Sequence, residues 1–315
     1  MKKEDKSNRA IYTIVIAGLG IRISMPRDYD VSACLPSFST FIGPEPDERD
    51  IVMEVELREG NRPVVTGRSR VLTDVSYAWE NRFLFTEVET GYKVAVQAND
   101  QNGVWEMWTN IEFSKLTIYV VKDELYTANI LSWFLMMAFG QTILKRNRVM
   151  IHASVVERDG MAYAFLGKSG TGKSTHSELW LRHLDNVTLL NDDNPILSIE
   201  EGQLYVYGTP WSGKTACYVN KRVPLKAIVR LRKAQENSMR WMNNVDALTA
   251  FIPSCTAMRW NMELFNSMIG TAEQVIKMLD IGEFSCLPNA EAAVVCHKKI
   301  VEHSDRNEFT NLQNN

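Results

Sequence analysis

The residues with the clearest chemical meaning form a glycine-rich loop, GKSGTGKS, at positions 167–174. The loop matches the pattern G-x-x-x-x-G-K-[ST], in which glycines let the backbone turn tightly and direct successive N–H groups at phosphate oxygens. In such a loop the lysine reaches the β- and γ-phosphates, and the following hydroxyl ligates magnesium. An apolar strand candidate precedes the loop and a helical pattern, residues 174–184, follows it. The sequence therefore predicts a site for a nucleoside triphosphate with Mg²⁺.

The same pattern matches a second time, as GTPWSGKT at positions 208–215. Here Pro210 lacks the N–H that a phosphate cradle uses, and Trp211 is bulky where the backbone would approach the ligand. The residues that follow, ACYVNKRVP, predict a strand that ends at Pro224 and not a helix. We therefore interpret the first loop as the phosphate site and expect the second loop to lie beside the nucleotide.

Two adjacent carboxylates, Asp192 and Asp193, end the apolar segment LLNDD. Acidic residues at the end of such a strand organise metal ions in phosphoryl-transfer enzymes. One carboxylate can organise Mg²⁺ while the other accepts the proton of an attacking hydroxyl. Strand alternation predicts that only one of them faces the loop, and the residues NDDNP are also typical of a plain turn.

Three segments in this order resemble the kinase core shared by HPr kinase/phosphorylase and phosphoenolpyruvate carboxykinase. They are MIHAS (150–154), GKSGTGKST (167–175) and LLNDD (189–193), and the resemblance covers about residues 148–235. It implies an α/β P-loop kinase core that binds ATP and Mg²⁺. The residues that it implies for the triphosphate are Gly167, Lys168, Ser169, Gly170, Thr171, Gly172, Lys173, Ser174 and Thr175.

The resemblance also implies roles in catalysis and metal binding. Asp193 matches the general base of the HPr kinases, and His152 matches an active-site histidine of the family; Lys173 completes the catalytic set. Ser174 and Asp192 match the positions that handle magnesium. Taken by itself, a histidine beside apolar residues is more often a packed side chain, so His152 depends on the resemblance.

The second loop resembles a GTPW stretch in HPr-kinase-like proteins of unassigned substrate. This implies that Trp211 and Lys214 line the acceptor pocket, and Arg230 is a candidate for binding phosphate or acceptor. The chain lacks the glycine-rich signature of HPr kinases after the aspartate pair. The metal and carboxylate ligands of the carboxykinases are not matched either.

The sequence-based hypothesis is therefore an ATP-dependent kinase that phosphorylates a hydroxyl of a small, serine-like metabolite or of a peptidyl serine. A carboxykinase-like lyase and a nucleotide-binding regulator without turnover stay open as alternatives. The formal charge of −3 in 315 residues favours neither nucleic acid nor an anionic membrane as partner. Five scattered cysteines without a CxxC pair suit a reducing, cytoplasmic environment.

The chain divides by pattern into a β-rich module (1–122), a connecting core helix (123–148), a P-loop kinase domain (149–305) and a polar tail (306–315). The apolar segment 130–144 is too short to span a membrane and predicts a buried helix. Residues 99–103, NDQNG, predict a hairpin turn. The module either recognises the acceptor or mediates homo-oligomerisation, and its residues do not choose between the two.

Overall fold

The computed structural model describes residues 8–72, 83–99 and 103–313, with side chains up to residue 306. The chain forms two compact units. One comprises Met1–Asn147 with Thr256–Met268, and the other comprises Arg148–Cys255 with Ile269–Asn315. Residues 100–102 of the predicted hairpin turn lie outside the described part of the chain.

The first unit contains an eight-stranded mixed sheet in the order β1-β2-β3-β8-β7-β6-β5-β4. Strand β3 runs parallel to both of its neighbours, β2 and β8. The remaining neighbouring pairs are antiparallel. The strands are β1 (Arg9–Ile16), β2 (Leu19–Pro26), β3 (Ile51–Arg58), β4 (Arg70–Leu72), β5 (Phe83–Val88), β6 (Gly91–Gln97), β7 (Val104–Thr109) and β8 (Lys115–Tyr119).

Alternation of apolar and polar residues explains why these segments form strands with one buried face. In β3, Met53, Val55 and Leu57 are buried, whereas Glu54, between the first two of them, is exposed. Two helices also belong to this unit, the short α1 (Val31–Cys34) and α2 (Ile130–Thr142). Ten of the thirteen residues of α2 are buried, which accounts for its apolar composition. Within the described residues, no helix combines the length and apolar character needed to cross a membrane.

The second unit contains a nine-stranded mixed sheet whose main path is β12-β10-β11-β15-β14-β13-β9, with β17 paired to β15 and β16 paired to β17. Its strands are β9 (Arg148–Met150), β10 (Ala153–Arg158), β11 (Met161–Leu166), β12 (Val187–Asp193), β13 (Ile196–Glu200), β14 (Gln203–Tyr207), β15 (Arg222–Lys233), β16 (Ser238–Trp241) and β17 (Ile281–Cys286). Its helices are α3 (Lys173–His183), α4 (Asn244–Phe251) and α6 (Ala290–Gln313), and α5 (Met262–Met278) begins in the first unit and ends in the second.

The register of the second sheet brings the chemically important segments to one edge. Ala153 pairs with Asp193 on one side and with Leu166 on the other, and Leu166 pairs with Arg230. Strands β11, β15 and β17 are parallel, so their carboxyl ends lie at this same edge. In α/β sheets, ligands bind outside the carboxyl ends of parallel strands.

A cluster of buried side chains fixes α3 against the sheet. Trp180 of α3 packs with Phe165 of β11 and Phe284 of β17, and Ile300 of α6 closes the same cluster. Burial of this apolar surface holds the amino end of α3 directly after β11.

The α/β class predicted from the sequence is what the structure shows, since it has two sheets with helices. The predicted strand at 216–224 is wrong, because residues 216–221 have no regular structure and β15 starts at Arg222. Strand β15 continues through Pro224, which pairs with Tyr205 of β14. Helix α6 extends into the predicted polar tail (306–315) and ends at Gln313.

Candidate functional site

The glycine-rich loop joins the end of β11 at Leu166 to the start of α3 at Lys173. Gly170 and Gly172 have φ angles of 76° and 108°, which L side chains rarely adopt. A Cβ at either position would meet no atom within 4 Å. The loop therefore requires these glycines for their backbone conformation and not for space.

Lys173 lies inside this loop. Its Nζ donates a hydrogen bond to the Gly167 carbonyl oxygen at 2.9 Å, and its side chain is largely buried. Burial lowers the pKa of Lys173, and the carboxylates of Asp193 and Asp192 oppose that shift. The ammonium group is thus held against the loop backbone.

Ser174 and Asp192 present adjacent oxygen atoms at the start of α3. The Ser174 hydroxyl donates to Asp192 Oδ1 at 3.0 Å, and the Asp192 residue is only 4% exposed. Hydroxyl and carboxylate oxygens are suitable ligands for Mg²⁺, which in nucleotide sites uses few protein ligands together with phosphate oxygens. No group of three or more His, Cys, Asp or Glu residues that could hold a metal ion occurs among the described residues. Ser174 and Asp192 are the residues here that could hold a magnesium ion together with phosphate oxygens.

His152 and Asp193 form a second pair at the same edge of the sheet. His152 Nε2 lies 3.2 Å from Asp193 Oδ1, and both side chains are partly exposed. Asn194 Nδ2 donates to the other carboxylate oxygen of Asp193 at 2.8 Å. The His152 N–H donates to the Ser254 carbonyl at 2.7 Å, which anchors the histidine backbone.

The backbone at Asp193 departs from regular strand geometry. Its φ of 153° is unusual for a residue with a side chain, and such outliers concentrate at functional sites. Strict alternation would turn only one carboxylate of the pair towards the loop, and the contacts differ accordingly: Asp192 accepts from Ser174 at the start of α3, whereas Asp193 lies against His152.

The second glycine-rich loop forms a wall beside the aspartate pair. The buried Asn191 amide donates to the Thr209 and Trp211 carbonyl oxygens, at 3.3 and 3.2 Å. The Gly213 N–H donates to the Asp192 carbonyl oxygen. A Cβ on Gly213 would lie 2.9 Å from that same oxygen, so the close approach requires glycine.

The three predicted acceptor-side residues have different surroundings. Trp211 is 4% exposed and packs as part of the wall, whereas Lys214 is exposed. Arg230 lies opposite Leu166 on β15, so its backbone is three strands, about 14 Å, from Asp193. Neither Lys214 nor Arg230 has an ion pair with another described residue. The structure thus brings Arg230 to the site edge, whereas Lys214 lies exposed on the second loop.

Solved structures with a distant likeness to this chain include an HPr(Ser) kinase/phosphatase. A solved structure of the HPr(Ser) kinase/phosphatase from Coxiella burnetii matches 50% of this chain and 98% of its own, with 15% identity and a TM-score of 0.31. At this TM-score the likeness carries no conclusion about the fold or activity of the present chain. No family model matches the sequence, and no curated protein matches it.

Sequence reasoning did not find two polar contacts behind the loop. The buried hydroxyls of Ser154 and Ser177 lie 2.7 Å apart and join β10 to α3. The Trp180 indole N–H donates to Nε2 of the buried His176 at 3.0 Å. Neither contact has a sequence signature, because each depends on how α3 packs on the sheet. The second loop, by contrast, was visible in the sequence, because residues 208–215 match the pattern G-x-x-x-x-G-K-[ST] a second time.

Proposed function

We propose that this chain is a magnesium-dependent kinase that transfers the γ-phosphoryl group of ATP to a hydroxyl group. The observation that supports it best is the convergence of three elements at one sheet edge. These are the glycine-rich loop with Lys173, the Ser174–Asp192 oxygen pair and the His152–Asp193 pair. A binding protein would need the first two but has no use for a base.

The triphosphate would lie in the loop at residues 167–174, where backbone N–H groups and the positive end of α3 bind anions. Lys173 would exchange its contact with the Gly167 carbonyl for one with the β- and γ-phosphates. Ser174 and Asp192 would hold Mg²⁺, which neutralises charge on the phosphates when bound.

Asp193 would accept the proton of the attacking hydroxyl while the oxygen of that hydroxyl bonds to the γ-phosphorus. The bond from phosphorus to the bridging oxygen breaks at the same centre, and ADP leaves. His152, at 3.2 Å from the Asp193 carboxylate, would orient it towards the acceptor. Lys214 and Arg230 are the cations that would bind an anionic group on the acceptor.

The acceptor class is a small, serine-like metabolite or a peptidyl serine, and a transfer screen tests it. Purified protein with Mg²⁺ and γ-labelled ATP would be offered serine, other hydroxyl metabolites, sugars and peptide pools. Label on one acceptor that is absent with Lys173→Ala would establish the kinase and name its substrate.

Two other results would redirect the assignment. Nucleotide-dependent release of CO₂ from oxaloacetate would indicate a carboxykinase-like lyase. Tight ATP binding with no turnover on any acceptor would indicate a regulator.

A further inference from the structure

The serine of the second glycine-rich loop, Ser212, lies directly beside the aspartate pair. It is the antiparallel bridge partner of Asp193. In such a pair the two side chains lie on the same face of the ladder, with Cβ atoms about 5 Å apart. The Ser212 Oγ also lies 3.3 Å from the carbonyl oxygen of Asp192, to which it donates. A hydroxyl group of the chain itself is therefore next to both the proposed base and one of the proposed metal ligands.

The second loop is held closely against Asp193. A Cβ on Gly213, the residue after Ser212, would lie 3.4 Å from the Cβ and 3.6 Å from the carboxyl carbon of Asp193. The Gly213 N–H donates to the carbonyl oxygen of Asp192, which ties the loop to the end of β12. Rotation about χ1 therefore moves the Ser212 hydroxyl between staggered positions beside the aspartates without any movement of the loop backbone.

We propose that Ser212 accepts the γ-phosphoryl group of ATP when no external acceptor occupies the site, so that the chain phosphorylates itself. This acceptor role rests on the proposed function and adds a second acceptor to the same site. Asp193 takes the proton of the Ser212 hydroxyl while its Oγ bonds to the γ-phosphorus. The bond from that phosphorus to the β–γ bridging oxygen breaks, ADP leaves, and Asp193 then releases the proton to water.

The existing contacts of Asp193 do not prevent this step. His152 lies 3.2 Å from one carboxylate oxygen, and Asn194 donates to the other at 2.8 Å. Each oxygen of an ionised carboxylate accepts more than one hydrogen bond, so a further donor such as the Ser212 hydroxyl can be accommodated. The two contacts hold the carboxylate in place while the serine hydroxyl approaches it.

A second hydroxyl on the same loop, that of Thr215, has a different position. Thr215 is exposed, whereas Ser212 is half-buried. Ser212, and not Thr215, is the bridge partner of Asp193. The Ser212 hydroxyl also lies 2.6 Å from the Thr215 carbonyl oxygen, so the threonine is near in the chain but is joined to the site only through Ser212. Thr215 is therefore a matched control for the acceptor.

Phosphorylation of Ser212 would limit itself. A phosphoserine carries a charge of about −1.5 to −2 at pH 7. Beside the carboxylates of Asp192 and Asp193, this charge repels a second anionic group and fills the space next to the base. Self-phosphorylation should therefore stop at about one phosphate per chain, since the reacting hydroxyl is used up and its place is blocked.

The test offers γ-labelled MgATP to the purified full-length protein with no added acceptor. The wild type should become labelled, and peptide mapping should place the phosphate on Ser212. Ser212→Ala should lose this label, and Ser212→Thr should recover part of it because a hydroxyl is restored. Thr215→Ala should be labelled like the wild type, and Lys173→Ala is the blank. Mapping on the unaltered protein does not depend on the folding of any variant.

Dilution distinguishes transfer within one chain from transfer between two copies. When the nucleotide and the hydroxyl belong to the same molecule, the labelled fraction grows at a rate that does not depend on protein concentration. A rate that falls in proportion to protein concentration would overturn transfer within the chain.

Three outcomes separate self-phosphorylation from the proposed function. Label on Ser212 of the wild type that is lost with Ser212→Ala and with Lys173→Ala supports it. Label at another residue of the chain, or label only on an external acceptor of the transfer screen, would overturn it and leave phosphoryl transfer standing. No label on the chain or on any acceptor would overturn both.

Discussion

The buried His176 should make the stability of this protein depend strongly on pH. Its ring lies edge-on to Phe165 at a centroid distance of 4.7 Å and packs against Phe284 at 5.6 Å. Burial alone lowers its pKa from 6.5 to about 4, because the apolar surroundings disfavour the imidazolium. The folded chain therefore keeps His176 neutral at pH values at which the unfolded chain has already taken up a proton.

The sign and size of the effect follow from these two values. Between about pH 4 and 6.5 the unfolded state binds more protons, so the free energy of unfolding rises with pH across this window. Above about pH 6.5 the contribution is fully present, and as the pH falls to 4 it is lost. The separation of the two pKa values corresponds to about 3 kcal/mol.

Urea denaturation at pH values from 4 to 7.5 measures this contribution when the wild type is compared with His176→Gln. Glutamine is neutral at all these pH values and retains an acceptor for the Trp180 indole N–H. The wild type should lose about 3 kcal/mol more than the variant between pH 7 and pH 4. His183→Gln, at the exposed end of the same helix, should behave like the wild type. Parallel pH profiles for the wild type and His176→Gln would refute the reasoning.

Three further predictions concern the site and its wall. Asp193→Asn should lower phosphoryl transfer by about 10²- to 10⁴-fold and leave ATP affinity nearly unchanged, because the amide cannot act as a base; full activity in a labelled-transfer assay would show that the base is another group. Asn191→Ala should lower the free energy of unfolding, measured by urea denaturation, by about 2 kcal/mol, because the buried amide holds the second loop through the carbonyl oxygens of that loop. A loss below about 0.5 kcal/mol would mean that the loop does not depend on this amide. Gly208→Ala should cost about 2 kcal/mol, because the new Cβ would overlap the Val219 carbonyl oxygen. The control Gly43→Ala has no neighbour within 4 Å and should be nearly neutral, so equal losses in both would contradict the steric account.

Local pattern was informative wherever a segment's neighbours in sequence decide its structure. The strand before the phosphate loop was readable, since a short apolar run bounded by a glycine-rich turn is typical of a fully buried strand. Strands β4 and β5 were not predicted. Strand β15 was also missed, because its pattern contains Pro224 and is interrupted by several basic residues.

The sequence alone identified part of the candidate site. A glycine-rich loop with Lys173 and Ser174 is a local motif, because its backbone conformation and its donors come from consecutive residues. The pair Asp192 and Asp193 was visible as a candidate in the residues, but the assignment of Asp192 to the metal and Asp193 to the base came only from the resemblance. The sequence by itself thus determined the α/β class and the residue types available for phosphate chemistry.

Tertiary structure decided which of these residues meet. The pairing of β10 with both β11 and β12 places His152 next to Asp193, although they are far apart in the chain. The packing of α3 on the sheet sets Ser174 against Asp192 and buries His176. The carboxyl ends of the parallel strands β15 and β17 lie beside a cavity that the glycine-rich loop also lines. These contacts depend on strand order and register, which arise from the packing of the whole unit and leave no mark on any single segment.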